Sequence, residues 1–159
     1  MSLEHRLLLI SIPDRSLLNK LEFYTSIMDG VLDEKCSILL DVTIQDSIVA
    51  YFIDYLSWIP AKNYYDDSII YGLNRCGITI YDAESKQKLS SVLNAIQVLF
   101  ANAPDTIALH GEASISDNGV IRNENIEISK VSFLDTLRKI VNAIDVIGSD
   151  NSFLIHLGV

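Results

Sequence analysis

The sequence predicts an α+β (or α/β) domain in which a single mixed sheet is covered by three to four amphipathic helices. Two kinds of apolar spacing support this prediction: short alternating or continuous apolar segments typical of strands, and longer segments with apolar residues at helical spacing. They follow one another along all 159 residues without an internal repeat, which indicates a single domain, 1–159. Asn118-Gly119 between two alternating segments predicts a hairpin, so at least part of the sheet should be antiparallel.

The first half of the chain predicts two strands and two helices. A continuous apolar run that Pro13 closes favours a buried strand, and β-branched residues indicate the second strand. Leu and Tyr residues at helical spacing predict the first helix, which Asp29-Gly30 should end. The second helix should end before Pro60, although its Ile, Val, Tyr and Phe residues also favour a strand. The predicted strands are 6–12 and 37–44, the predicted helices are 14–28 and 45–58, and 60–67 is expected to be a surface loop.

Residues 71–104 are the best-specified stretch. Ile78 and Ile80 alternate with polar or aromatic neighbours, which predicts a strand with one face on the core. Asp82 is placed to cap a helix whose apolar stripe runs to Phe100. Asn102 and the proline that follows should end it. This stretch predicts a strand, a turn and a helix, and it contains no catalytic motif.

A hairpin at 106–128 is predicted from the two alternating segments around Asn118-Gly119. A four-residue loop is preferred because it pairs apolar with apolar residues. The pairs would be Ile107–Ile128, Leu109–Ile126, His110–Asn125 and Ile115–Val120. A two-residue turn would instead pair Ile115 with Arg122 and His110 with Glu127.

The end of the chain predicts one more helix and one more strand. Ser132 and Asp135 resemble a capping box, and an apolar stripe follows as far as Ile144. Gly148 should end this helix, and 152–159 should form a short strand.

The chain is acidic, with a net charge of −9. Nucleic acid and anionic membranes both attract Lys and Arg, so neither is an expected partner. A basic protein partner would be attracted by this charge, although acidity also serves solubility alone. Cys36 and Cys76 have no metal-binding or redox spacing, and the N-terminal apolar run is too short and too charged for a signal peptide. We expect a soluble, cytoplasmic protein with free thiols.

No catalytic, cofactor or metal site is predicted. The glycines form no phosphate-binding loop, and the carboxylates are scattered along the chain. His5 lies near a terminus that we expect to be mobile, and His156 lies among apolar residues, where a structural role is expected. His110 would gain a general-base partner only in the register that places Glu127 opposite it. Cys76 follows Arg75, which favours a thiolate, but cysteine is more often a buried structural residue.

One loop has the composition of a protein-binding surface. Tyr64, Tyr65, Asp66 and Asp67 combine aromatic anchors with acidic groups. They are the predicted partner-binding residues. The alternative is an ordinary solvated loop whose tyrosines fold back onto the domain.

The pattern I-I-Y-G-L-N-x-x-G-x-T-I at Ile69–Ile80 and the ending L-F-A-N-A-P at Leu99–Pro104 resemble small acidic bacterial proteins encoded beside toxin genes. They are similar to immunity proteins of contact-dependent inhibition and other polymorphic toxin systems. The motif is structural, so it transfers no catalytic residue.

This resemblance implies a non-enzymatic inhibitor that binds a toxin domain in the cytosol. Such toxins are often nucleases, which are basic because they must attract phosphate, and an acidic inhibitor complements them. The alternative is a small-ligand-binding or regulatory module with a pocket between helix and sheet. An enzyme that uses His110 is a third hypothesis.

Overall fold

The computed structural model describes residues 4–14, 25, 36–115, 121–149 and 151–158, with backbone alone for 111–115 and 121–124. This part of the chain contains eight strands and three helices, which confirms the α+β class. The strands are β1 Glu4–Ser11, β2 Ser37–Gln45, β3 Pro60–Asn63, β4 Ile69–Tyr71, β5 Ile78–Tyr81, β6 Thr106–Ile115, β7 Ile121–Ser129 and β8 Ser152–Leu157. The helices are α1 Asp46–Leu56, α2 Ala83–Ala101 and α3 Lys130–Ile144.

Six strands form the main sheet in the order β2-β1-β8-β5-β3-β4. Every neighbouring pair in it is antiparallel, so the sheet that the sequence predicted as single and mixed has no parallel pair among the described strands. The hairpin β6–β7 forms a separate two-stranded sheet. The apolar residues of the hairpin alternate as predicted. Such alternation predicts that two strands pair, but it does not predict which sheet they belong to.

Both faces of the main sheet are buried at its centre. Every residue of β5 and β8 is buried, so the prediction that β5 presents one face to the core was too narrow. The face with Leu9, Tyr81 and Leu154 packs against all three helices and forms the larger core cluster. The opposite face, with Leu8 and Ile155, belongs to a second cluster.

The helix ends follow local hydrogen-bonding chemistry. The Asp82 carboxylate accepts from the backbone N–H of Glu84 at 3.0 Å, and the backbone N–H of Asp82 donates to Ser85 Oγ at 3.3 Å, so the predicted cap of α2 is confirmed. The predicted cap of α3 is wrong. Ser129 caps this helix, one turn before Ser132, because its hydroxyl accepts from the backbone N–H of Ser132.

The preferred hairpin register is confirmed near the base of the hairpin. Leu109 lies opposite Ile126, and His110 lies opposite Asn125. A bulge between His110 and Ala113 then shifts the register by one residue, so Ile115 pairs with Ile121 and not with the predicted Val120.

Three further predictions have different outcomes. The predicted loop 60–67 contains a strand, since Pro60–Asn63 pairs with β4 and β5. The predicted helix 14–28 lies outside the described residues, apart from Asp14 and Thr25. The strand predicted at 152–159 is confirmed as β8.

Candidate functional site

An exposed aromatic groove lies between α1 and α2. Its walls carry Tyr51, Tyr55 and Trp58 on one side and Ala95 and Leu99 on the other, and we call these five residues the α1–α2 groove. It consists of two adjoining hollows of about 340 and 350 Å³. Trp58 is 56% exposed and Leu99 67% exposed. Single exposed apolar residues are ordinary, but a contiguous aromatic patch is typical of an interaction surface.

The groove has a rigid floor because α1 is apolar on two sides. Phe52 is buried in the main core and lines both hollows. Its ring stacks on Phe133 at 5.9 Å and meets Phe100 edge-on at 5.4 Å. Tyr51 and Tyr55 on α1, followed by Trp58 in the turn after it, lie outside the width of the helix that the core covers, which leaves this side in solvent.

One carboxylate on α1 carries a charge that no ion pair among the described residues neutralises. Asp54 is exposed on α1 between the aromatic residues, and its carboxylate forms no ion pair within the described residues. Lys88 lines the α2 side. Most other basic side chains in the described part already pair with carboxylates of this chain: Arg6 with Asp41, Lys62 with Asp82, Arg75 with Asp46, Lys130 with Asp105, and Arg138 with Asp135. The surface therefore offers more unpaired negative than positive charge.

Only part of the loop 64–67 is exposed to solvent. Tyr64 is 6% exposed and belongs to the second core cluster, so its side chain is not available to a partner. Tyr65 is 70% exposed, and its ring meets that of Tyr64 edge-on at 5.4 Å. The Asp66 carboxylate accepts from the backbone and hydroxyl of Ser68, and these hydrogen bonds lower its pKa. Asp67 is exposed with φ of 56°. A partner role for Tyr65, Asp66 and Asp67 stays a prediction.

A buried cluster that the sequence analysis missed joins the two ends of the chain. His5 Nδ1 lies 2.7 Å from His156 Nε2, and His5 Nε2 lies 2.7 Å from Asp46 Oδ1. The imidazole centroids are 4.9 Å apart and the ring planes differ by 21°, so the rings meet at their nitrogen-bearing edges. The expectation that His5 belongs to a loose terminus is therefore wrong: its side chain is fully buried.

Asp46 links this cluster to a cation. Arg75 Nη2 donates to both carboxylate oxygens of Asp46, at 3.0 and 2.8 Å. Burial is the largest single effect on Asp46 and raises its pKa. The hydrogen bonds from His5 and Arg75, with the charge of Arg75, outweigh that effect and hold the pKa below 3.8. The carboxylate is therefore ionised at neutral pH.

The remaining predicted functional candidates do not assemble into a site. His110 is exposed opposite Asn125, so the His–Glu pair of the alternative register is absent. Cys76 is exposed, which corrects the expectation that it is buried, and neither cysteine forms a disulfide. The guanidinium of Arg75 is engaged by Asp46.

The alternation of β1 was a usable signal for the buried cluster. His5 shares the helix-facing side with Leu7 and Leu9, two and four residues on. Nothing local indicates that His156 or Asp46 lies beside it.

No group of three or more His, Cys, Asp or Glu side chains in the described part of the chain is arranged to hold a metal ion. No described helix is long and apolar enough to cross a membrane.

Together, the fold and the groove define an acidic α+β domain with an exposed aromatic surface. No protein-family model, curated protein or solved structure matches this chain.

Proposed function

We propose that this chain is a non-enzymatic immunity protein that binds and neutralises a basic, nuclease-type toxin domain in the cytosol. The observation that carries the proposal is the α1–α2 groove, an exposed aromatic surface on a chain with a net charge of −9. Aromatic residues held on a rigid element supply contact area at low entropic cost, which is why they dominate interface energetics.

Charge favours a basic occupant of the groove over a second copy of this chain. Two copies would each carry a net charge of −9 and would repel one another. Asp54 precedes the groove residue Tyr55 on α1 and has no ion pair in the described residues, so its carboxylate is free to pair with a Lys or Arg of a partner. Lys88 lines the α2 side of the groove, but most other described cations pair with carboxylates of this chain, so unpaired acidic groups outnumber unpaired basic groups.

The alternative, a small-ligand-binding or regulatory module, has weaker support. Metabolite pockets usually enclose roughly 300–1,000 Å³. The apolar pocket between the helices and the sheet has a volume of about 70 Å³, which is too small for such a ligand. The larger hollows lie at the surface, where they suit side chains of a protein partner.

The experiment compares the two candidate surfaces of this protein, the α1–α2 groove and the loop 64–67, by single substitutions. The probe is the polypeptide encoded beside this chain's gene, which the proposal requires to be basic, titrated against the wild-type chain and Trp58→Ala, Tyr65→Ala and Val131→Ala. Trp58→Ala should weaken binding about 30-fold, because truncating a central aromatic anchor costs at least about 2 kcal/mol. Val131 is 72% exposed on α3, away from the groove, and its variant is the matched control with unchanged affinity.

The loop variant separates the two candidate surfaces. Tyr65→Ala should leave affinity within about twofold if the groove is the interface. A loss with Tyr65→Ala and none with Trp58→Ala would move the interface to the loop. In cells that express the neighbouring polypeptide, wild-type chain should restore growth and Trp58→Ala should restore it less well. No protection by the wild-type chain would contradict the proposal itself.

A further inference from the structure

Strand β2 forms one edge of the main sheet, and among the described strands none pairs with its outer side. It is nine residues long and has the sequence SILLDVTIQ. Natural edge strands are commonly short or carry Lys or Pro, which keeps another strand from adding to them. β2 contains neither residue, and its Ile38 and Leu39 side chains are 43% and 52% exposed. The strand is therefore long enough and apolar enough to accept a further strand.

The hydrogen bonds of β1 show which backbone groups of β2 point toward the sheet. The backbone N–H of Ile12 donates to the carbonyl oxygen of Asn151, so the even-numbered residues of β1 bond to β8. The odd-numbered residues of β1 then bond to β2, where Leu7 lies opposite Val42. The backbone N–H and C=O of Val42 are therefore used within the sheet.

The residues on either side of Val42 point their backbone groups away from the sheet. These residues are Asp41 and Thr43, since successive residues of a strand bond to opposite sides. Their side chains are exposed, so this edge is open to solvent. Within the described residues, neither forms a backbone hydrogen bond on the outer side. Outward N–H and C=O groups at alternate residues are the groups to which another extended chain bonds.

A hollow of about 280 Å³ lies beside the last residues of β2. Thr43, Ile44 and Gln45 line it on one side, and residues 127–129 of β7 and the first part of α3 complete it. Glu127 is the only ionisable residue among the described residues that line the hollow, and it is exposed and forms no ion pair in that part of the chain. A strand added to β2 would direct alternate side chains to the same side as Ile44, toward this hollow.

Charge favours a basic partner segment over a second copy of this chain. Two copies related by a two-fold axis would pair β2 with β2, and pairing over the whole of 37–45 places Asp41 opposite Asp41 of the copy. Like charges directly opposite one another destabilise a strand pair. The exposed ion pair with Arg6 offsets only part of this repulsion. Each copy also carries a net charge of −9.

We propose that the open edge of β2 binds an extended segment of a partner protein, which adds as an antiparallel strand and carries Lys or Arg at a position that faces the hollow. The antiparallel direction matches every other pair of the main sheet. The aliphatic stem of Lys or Arg covers the apolar lining, and its charge is attracted by Glu127. The hollow shares no lining residue with the α1–α2 groove, so this proposal does not depend on the groove being an interface.

The probe is the synthetic peptide Thr-Val-Thr-Lys-Thr-Val-Thr with blocked ends, and its match has Glu in place of Lys. Each is titrated into the full chain labelled with ¹⁵N. At saturation the amide hydrogens of Asp41 and Thr43 should exchange with solvent at least about fivefold more slowly, because each gains a hydrogen bond. The amide of Val42, which already bonds to β1, is the internal control and should not change.

The charge preference is tested by one substitution and its control. The Lys peptide should bind the wild-type chain about fivefold more tightly than the Glu peptide. Glu127→Gln should remove this preference. Asp54→Asn makes the same change of charge on α1, outside the hollow, and should keep it. An equal preference in wild type and Glu127→Gln would contradict the assignment of the cation to the hollow.

Methylation of the peptide nitrogens tests the backbone hydrogen bonds without altering the protein. In the proposed strand the Thr residues lie opposite Asp41 and Thr43 and donate to them, whereas the N–H groups of Val and Lys point to solvent. Methylating the Thr nitrogens should therefore abolish binding, and methylating those of Val and Lys should leave the affinity within about twofold.

Two protein variants locate the peptide on the surface. Thr43→Pro removes an outward N–H without breaking a bond to β1, which edge strands tolerate, and should weaken binding at least about fivefold. Trp58→Ala should bind the peptide like wild type. Binding of neither peptide, equal effects of the two methylation patterns, or loss of binding in Trp58→Ala would overturn the proposal. A dimer of the wild-type chain that Thr43→Pro prevents would also overturn it, because a second copy would then occupy the edge.

Discussion

Lowering the pH below neutrality should destabilise this fold through His156. Burial, and secondarily the charge of His5, lower the pKa of His156 from 6.5 to about 3. The folded pKa lies below the unfolded one, so the unfolded chain binds the extra proton between these two values. Stability is therefore fully present above pH about 6.5 and is lost progressively as the pH falls toward about 3. From pH about 7.5 to about 5.0 the loss should be about 2 kcal/mol.

Urea unfolding at these two pH values measures this loss, with far-UV circular dichroism as the signal. His156→Gln keeps an amide that can donate to or accept from His5 but does not titrate, so its stability should change with pH by about 2 kcal/mol less than wild type. His110→Gln is the matched control, because His110 is exposed, and it should lose as much stability as wild type. Equal losses in wild type and His156→Gln would refute the reasoning.

Three further substitutions test the account by urea unfolding. Asp46→Ala leaves the buried N–H of His5 without its acceptor and should lower the free energy of unfolding by about 2 kcal/mol. The control is Asp54→Ala, on the exposed side of the same helix, which should change the free energy of unfolding by less than about 0.5 kcal/mol. Phe52→Ala removes the ring at the centre of the aromatic cluster and should cost about 3–5 kcal/mol; a cost below about 1 kcal/mol would contradict its central place. Asp82→Ala removes the cap of α2 and the partner of a half-buried lysine, and should cost about 2 kcal/mol; an unchanged unfolding midpoint would show that neither contact matters.

Where local chemistry decides the structure, the sequence was informative. Helix α2 has one strong cap, one apolar stripe and one clear end, and these agree with one another. Pairing apolar with apolar residues predicted the hairpin register correctly as far as His110, but it did not predict the bulge that follows. At α3 the capping pattern at Ser132 was misleading, because Ser129, three residues earlier, caps the helix.

The sequence did not predict which distant segments of the chain contact one another. His5 and His156 are 151 positions apart and come together because β1 and β8 are neighbours in the sheet. Strand order is decided by the packing of whole elements, and no local pattern encodes it. The burial of Tyr64 has the same origin: its ring packs into the second core cluster, whereas the adjacent Tyr65 remains exposed.

The central claim is that this acidic chain binds a basic protein domain. The most direct measurement is calorimetric titration of the wild-type chain with the basic polypeptide encoded beside its gene, at about 50 mM and about 300 mM salt, since screening shortens the range of charge attraction. The account predicts binding at both concentrations, with association that slows and affinity that falls as salt rises. Absence of binding at the lower salt, or an affinity that does not depend on salt, would contradict it.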